Sequence, residues 1–488
     1  MGPGRPLRYH RAPSMSFDSV TFWLFFAVAW TVWRFAPFGI AKLLTALLSL
    51  VFYAWWRIEY VPLILFSAAV DYVVGGRLAA AESLTKRRIF LVISLVMNLG
   101  LLGFFKYTPF VVRIFAPWLQ DWGAFQETPT FASWVVPVGI SFYTFQTLSY
   151  TIDLYRRRID VAPNFTDFLL YVSFFPQLVA GPIVRAKELL PQFLKRRRLA
   201  PEHIQQGCYQ IITGLCLKMV VADGVATPVN MLFDEGGAAT ASVAQTWIGV
   251  TSFGVQIYAD FAGYSRIAIG LALLMGIRFP KTFNYPYISQ SLSEFWTRWN
   301  IPLSQWLWDY IYVSLGGNRK GAGRVYVNLM ITMLLGGLWH GAAWTYFVWG
   351  LWHGVGLSIE RLFGFNGVRT NKPKSAREVV IRGFRIWVVW SYVATSFVFF
   401  RAADFDTVWI IQKKMWIEPF TEGFGSWVDW RFMALWPLVF VPHLLRILHE
   451  WYDVRRGRYA HVLTVAACLL LLTFVRRILN QAFIYFQF

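Results

Sequence analysis

The sequence predicts an all-α integral membrane protein that crosses the bilayer many times. Three observations carry this. The 488 residues are 57% hydrophobic and only 15% charged, whereas soluble domains are about 45–50% apolar and about 25% charged. The apolar residues fall into a succession of runs that approach the ~20 residues a spanning helix requires. The basic residues sit in short clusters between those runs, as in cytoplasmic loops. Aromatics reach 19%, including 25 Trp and 22 Tyr, which suits rings with an apolar body and a wet polar tip at membrane interfaces.

The runs read in order as spans at Val20–Phe35, Ile40–Trp55, Val61–Ala80, Ile89–Phe105 and Val135–Leu154. They continue at Ile204–Val221, Ala244–Met275, Val325–Trp339, Ala342–Ile359, Phe384–Phe400, Phe432–Leu448 and Val462–Leu479. Phe165–Ile183 and Ser291–Leu315 are apolar but broken by Pro or by polar residues. Broken backbone at membrane depth survives only where protein or a water-filled cavity satisfies it. Both are expected to be re-entrant or interfacial segments lining a cavity. The clusters at Lys86–Arg88, Arg156–Arg158, Lys195–Arg198, Arg319–Arg324, Arg369–Arg385 and Arg455–Arg458 are expected on the cytoplasmic side. Gln120–Thr130 and Asp234–Thr240, acidic with no basic residue, fall on the other side. Three spans before Lys86 then put the N-terminus outside, against the preference of Arg5, Arg8 and Arg11. A native start at Met15 removes the conflict. Residues 1–14 are accordingly expected to be a disordered or spurious extension, and 15–488 a single membrane domain.

The net charge of +20 is distributed as loop clusters, which argues against nucleic acid. Cys208, Cys216 and Cys468 lie inside apolar runs without metal-ligand or CxxC spacing, so neither a disulfide framework nor a metal site is indicated.

Among seven histidines, His340 stands out. It lies in GGLWHGAAW at the tip of two adjoining apolar runs, and an ionisable residue at membrane depth is a functional-site hypothesis. Its neighbours Gly337, Gly341, Ala342 and Ala343 remove bulk and so admit a substrate. The alternative is a buried histidine bonded to a neighbouring helix. His353 is 13 residues on, roughly 220° around an ideal helix, so the two are not expected to share a face or a metal. Asn300, in a Trp-rich interfacial segment, offers both a donor and an acceptor. The Gly-rich turn around Arg319 and Lys320 suits a phosphate-bearing donor, or is an ordinary basic turn. Gln177 and Asp260 stand among apolar residues, and Asp260 needs a cation, Arg266 or another.

At VGISFYTFQTLSYTIDLYR (Val138–Arg156), FFPQLVAGPIVR (Phe174–Arg185), YADFAGYS (Tyr258–Ser265), SLSEFW (Ser291–Trp296), GGNRKG (Gly316–Gly321), GLWHGAAWTYFVWGLWHG (Gly337–Gly354) and FIYFQF (Phe483–Phe488), the chain closely resembles the bacterial branch of the membrane-bound O-acyltransferase (MBOAT) family. The alginate, cellulose and peptidoglycan O-acetylating members are the most similar. The resemblance implies a ring of about 11–13 spanning helices around a thinned centre, with funnels from both faces meeting near a catalytic histidine, here His340. It implies Asn300 as the residue that orients His340 or binds the acyl carbonyl. Trp339, Gln177, Asp260, Arg319 and Lys320 are the implied substrate contacts. It further implies cytoplasmic acetyl-CoA as donor with no resident cofactor. The acetyl group would pass to an exported polysaccharide, through a periplasmic SGNH-type acetyltransferase partner, at the bacterial inner membrane. His340 would serve as general base or as transient acyl carrier. Three positions depart from the branch: Asn300 where its pattern has His, Trp308 where it has Arg, and Arg266 where it has Asp. Two rivals stay open. One is D-alanyl transfer to teichoic acid from a carrier protein. The other is a polysaccharide transporter or channel, which would spread polar residues over several spans rather than gather them near Asn300 and His340.

Overall fold

The computed structural model describes residues 15–121, 136–179, 181–365, 372–425, 430–452 and 460–475. Among these every regular element is helical, with no strand. The expectations for residues 1–14 and for FIYFQF, and most of the Gln120–Thr130 loop, lie outside the described residues.

The first spans follow the apolar runs closely. Ser19 accepts from the Phe22 amide and opens α1 (Val20–Phe35). Ala36 is extended, as a residue before proline tends to be, and Pro37 leads into α2 (Phe38–Ala54). α3 (Val61–Ala80) is followed by α4 (Leu84–Leu102), a π-turn at Gly103–Tyr107 and α5 (Thr108–Asp121). α6 (Ile140–Tyr155) has 14 of its 16 residues buried, so the VGISFYTF motif is an interior helix. α4 starts five residues before the expected Ile89. The cause is Arg87, which is not a loop residue. It is buried and donates to the carbonyls of Leu78 (2.8 Å), Leu154 (2.9 Å) and Tyr155 (3.0 Å), closing the C-terminal ends of α3 and α6.

The stretch at Phe165–Ile183 is broken as expected, into α7 (Phe165–Ser173) and α8 (Phe175–Leu178), with α9 (Ala186–Phe193) after it. α10 (Pro201–Leu215) continues through a π-turn, Cys216–Ala222, to α11 (Ala226–Phe233) and α12 (Gly237–Thr240). A capping box at Ser242 and Gln245 opens the 32-residue α13 (Val243–Leu274). The second broken stretch is α14 (Leu292–Arg298) and α15 (Ile301–Leu307), followed by a π-turn at Trp308–Tyr312. α16 (Ala322–His340) and α17 (Trp344–Leu362) form a hairpin. α18 (Ala376–Arg401) starts eight residues before the expected Phe384, because Ser375 caps it and Glu378 pairs with Arg382 at 2.6 Å. α19 (Phe405–Trp416), α20 (Glu418–Thr421), α21 (Pro437–Tyr452) and α22 (Ala460–Val475) complete the order. Length and apolarity qualify five of the described helices as spans, or six if α10 and α11, bent by 43°, count as one. That is fewer than the 11–13 expected; α1 and α2, for example, are apolar but only 16 and 17 residues long.

α13 is the hub, packed by α10, α11, α18 and α19. Its contact with α10 is built on glycine. A Cβ on Gly214 would lie 2.7 Å from the Gly263 carbonyl and one on Gly263 2.8 Å from the Gly214 carbonyl. One turn-pair along, Gly270 meets the Gly207 carbonyl at 2.6 Å. The two backbones therefore touch at both points, as small residues permit between membrane helices.

Buried polar groups are not confined to the vicinity of Asn300 and His340, contrary to expectation. Asp71 accepts from Ser94 (2.5 Å), Asn98 (2.7 Å) and Thr151 (3.3 Å) and joins α3, α4 and α6. Lys218 pairs with Asp223 (2.7 Å) and Asp260 (3.1 Å) between the Cys216–Ala222 turn and α13. Asp71 is thus held by hydrogen bonds and the two carboxylates by one shared lysine, as apolar surroundings require. The Arg455–Arg458 cluster and Arg369 lie outside the described residues; of the other basic residues, Arg156 donates to Asp309 and Ser314, Arg185 pairs with Asp309, and Arg196 binds the carbonyls that end α1.

A Gly263→Val substitution should therefore push α10 off α13, while Gly263→Ala should be milder. The expected result is a clear loss of monodisperse protein in detergent gel filtration for Val and an intermediate yield for Ala, with overpacking typically costing about 1–3 kcal/mol.

Candidate active site

His340 is the last residue of α16, where Gly341 turns extended and ends the helix. Gly337 and Gly341 serve the hairpin rather than open space for a substrate, which corrects the expectation for these two positions. A Cβ on Gly337 would meet the Tyr346 carbonyl at 2.3 Å, and one on Gly341 the Tyr346 ring at 2.0 Å. The imidazole is 7% exposed. The rings of Trp339, Trp349 and Phe400 surround it edge-on, with centroids 4.9, 5.1 and 5.1 Å away. The hairpin also overturns the single-helix argument that separated the two histidines. His353 packs on the same Trp349 at 4.8 Å and shares a hydrogen bond with Ser396 Oγ at 3.0 Å. Among the described residues, no group of three His, Cys, Asp or Glu side chains could hold a metal ion.

Facing the hairpin, α14 and α15 form a re-entrant pair. Glu360 of α17 accepts from the amides of Leu292 (2.6 Å) and Ser293 (2.8 Å) and fixes the start of α14. On the return limb Trp306 stacks on Phe145 at 3.7 Å and donates to its carbonyl, and Tyr310 donates to Asp153 at 2.7 Å. The tip is Trp299–Asn300. Asn300 holds the left-handed conformation (φ 37°, ψ 56°), and its buried Nδ2 has no acceptor among the described residues. Asn is one of the few side chains that tolerate this region.

Between this pair, α9 and the basic end of the hairpin lies a cavity of about 780 Å³, lined among others by Arg185, Lys187, Trp296, Ser304, Trp308 and Arg361. Its size falls in the range of small-molecule sites. Three cations line it against two carboxylates, Glu188 and Asp309. Burial pushes the Glu188 carboxyl above its usual range, against the pull of Arg185 and Lys187. Trp296 carries the wall inward: its ring meets Trp349 at 5.8 Å, and Trp349 meets His340. The buried indole nitrogens of Trp296, Trp339 and Trp349 have no acceptor among the described residues.

The other sequence-derived candidates fall elsewhere. Trp339 is buried beside His340 and packs on Phe142 and Phe145. Gln177 donates to the Tyr171 carbonyl at 2.7 Å. Asp260 takes Lys218 as its cation, while Arg266 donates to Thr213. Arg319 and Lys320 are exposed on a turn made by positive-φ Gly316, Gly317 and Gly321 and are not among the residues lining the cavity. Sequence reading missed Arg185, Lys187 and Arg361, which converge only in three dimensions, and Lys106. The lysine was visible as a charge inside LGFFKYTPF. Its ammonium binds the Trp339 carbonyl and lies 3.4 Å from both the His340 carbonyl and Ser141 Oγ.

A model of the membrane-bound O-acyltransferase family matches residues 133–402. The chain belongs to that family. The matched MBOAT segment runs from α6 to the end of α18 and contains the hairpin, the re-entrant pair and the cavity. The chain is 38% identical to "Probable alginate O-acetylase AlgI" of Pseudomonas aeruginosa over 387 residues, 79% of this chain and 70% of that protein. It is 35% identical to "Peptidoglycan O-acetyltransferase" of Helicobacter pylori over 401 residues, covering 77% and 73%. "Teichoic acid D-alanyltransferase" of Streptococcus thermophilus is more distant, 28% identical over 57% of this chain and 70% of its own. This MBOAT protein is thus a multi-pass membrane acyltransferase.

At the tip of the re-entrant pair, Asn300→Val should lower the detergent thermal midpoint, since a β-branched residue at positive φ costs about 1–3 kcal/mol. Asn300→Gly, free of that strain, should melt close to wild type by scanning fluorimetry.

Proposed function

We propose that the protein moves acetyl groups from acetyl-CoA on the cytoplasmic side of the bacterial inner membrane for O-acetylation of an exported polysaccharide, with His340 as the catalytic base. The observation that carries this reading is a buried histidine two aromatic rings behind a large, cation-lined cavity at the basic end. A donor with phosphates and a thin reactive arm fits that shape: Arg185, Lys187 and Arg361 suit the phosphates, and the Trp-lined wall suits the pantetheine arm. The names of the alginate- and peptidoglycan-acetylating relatives favour acetyl over alanyl transfer and a polymer acceptor. The weaker match to the D-alanyltransferase makes that the lesser reading.

The chemistry is balanced by one proton. An acceptor hydroxyl attacks the thioester carbonyl while imidazole takes its proton. The C–S bond breaks, and the imidazolium returns the proton to the departing thiolate. Asn300 Nδ2 and the Trp349 indole N–H, both buried without an acceptor among the described residues, suit the carbonyl oxygen as it gains charge. Trp339 Nε1 is a further donor of the same kind. The acceptor at this step is the hydroxyl of a periplasmic SGNH-type partner or of the polymer, of alginate, cellulose or peptidoglycan type. Gln177, Asp260, Arg319 and Lys320 take supporting rather than reacting places in this scheme.

His340→Ala should abolish polymer acetylation at normal membrane yield, read as acetate released by mild alkali. Loss of an acid–base group typically costs about 10²–10⁴-fold, so activity above about a tenth of wild type would overturn the assignment. Arg361→Glu should raise KM for acetyl-CoA about tenfold or more with little change in kcat, from loss of a charge-assisted bond. An unchanged KM would remove the phosphate role.

A further inference from the structure

We propose that Lys106 is a positioning residue for His340: with Tyr107 it closes the open C-terminal turn of α16 and so fixes the backbone from which the imidazole projects. This rests on the reading of His340 as the acyl-transfer base.

A helix leaves its last four carbonyls without an internal donor. α16 ends at His340, deep in the protein, and α17 starts only four residues later. Both Trp339 and His340 are buried, so unmet carbonyls there would be costly. Two consecutive side chains of another helix meet that need. Tyr107 Oη donates to the Leu338 carbonyl at 2.8 Å. Lys106 Nζ donates to the Trp339 carbonyl and reaches the His340 carbonyl and Ser141 Oγ, each at 3.4 Å. Three carbonyls in a row are thus held from one point.

Successive residues of an ordinary α-helix point about 100° apart. Lys106 and Tyr107 can serve one target because they lie in the π-turn Gly103–Tyr107, where the helix carries an extra residue. The lysine is 9% exposed. An ammonium has three donors, and its three partners here are two carbonyls and a hydroxyl, with no carboxylate among them. Its charge faces the negative end of the α16 dipole, where a cation is favoured. The same ammonium lies 5.9 Å from the Trp339 ring centre. Nothing in the transfer chemistry uses Lys106 directly, so its influence on the reaction runs through the placement of His340. A displacement of about 1 Å at a reacting group can cost about 10²-fold.

The test uses membranes carrying the full chain, with kcat and KM for acetyl-CoA read as release of free CoA. Lys106→Met should lower kcat about 100-fold at wild-type membrane yield, with KM within about threefold. Lys106→Arg should keep at least about a tenth of kcat, since a guanidinium can also cap carbonyls. Tyr107→Phe removes one bond only and should lower kcat several-fold at unchanged KM. A Lys106→Met protein with near-normal kcat, or one whose loss lies in KM alone, overturns the proposal. If Lys106→Met does not accumulate, Tyr107→Phe decides, and a wild-type kcat there overturns it. His340→Ala is measured alongside. An active His340→Ala sinks the underlying base assignment, whereas an inactive His340→Ala beside an active Lys106→Met sinks the positioning role alone.

Discussion

A helix that ends away from water needs donors for its final carbonyls, and much of this molecule is arranged around meeting that need. Arg87 closes α3 and α6 together, and in doing so draws the start of α4 inward. Trp30 and Trp33 of α1 donate to the carbonyls of Leu274 and Met275 and finish the long α13. Lys106 and Tyr107 do the same for α16. All of these bonds but Arg87 to Leu78 join elements far apart in sequence, so local closure of a helix and global assembly are one event. The hairpin that carries His340 is held on both sides in this way: its first limb by the π-turn after α4, and its second limb through Glu360, which binds the start of α14.

The site is consequently assembled from rigid pieces. The re-entrant pair is pinned at its start by Glu360 and along its return by Trp306 and Tyr310. The cavity lies against that pair, and its innermost ring, Trp296, abuts the ring that abuts His340. Three indole N–H groups with no acceptor among the described residues lie along the same path, at Trp296, Trp349 and Trp339. Buried donors are normally satisfied, so the two that pack on His340, Trp339 and Trp349, stand where an acyl carbonyl would find partners. Two other sets of buried charge, Asp71 with its hydroxyl and amide donors and Lys218 with its two carboxylates, act as fasteners between helices.

Apolar run length placed most helices to within a few residues, because membrane depth and hydropathy are coupled directly. The breaks at Phe165–Ile183 and Ser291–Leu315 were equally legible from their Pro and polar content. Where the sequence misled, a side chain had a long-range partner. Lys86–Arg88 reads as a loop because Arg87's three carbonyls lie on other helices. Gly337 and Gly341 read as space for substrate because nothing local reveals that Tyr346 fills it. His340 and His353 read as separated because their 13-residue spacing was laid on one ideal helix, whereas α16 ends at His340 and α17 starts afresh at Trp344. Lys106 could have been found, since a lone lysine in an apolar run is costly to bury and is kept there by a task.

Asn300 carries one more implication. Its left-handed backbone is imposed by the turn between α14 and α15, and few side chains settle there: Gly freely, and Asn, Asp and His more often than the rest. All but the first of these are polar and capable of hydrogen bonding. The sharpness of the bend thus pre-selects the chemistry that can stand at the tip. The asparagine found here belongs to that short menu, and histidine is its neighbour there. Apart from glycine, a residue that fits this bend without strain is one able to handle a proton or a carbonyl.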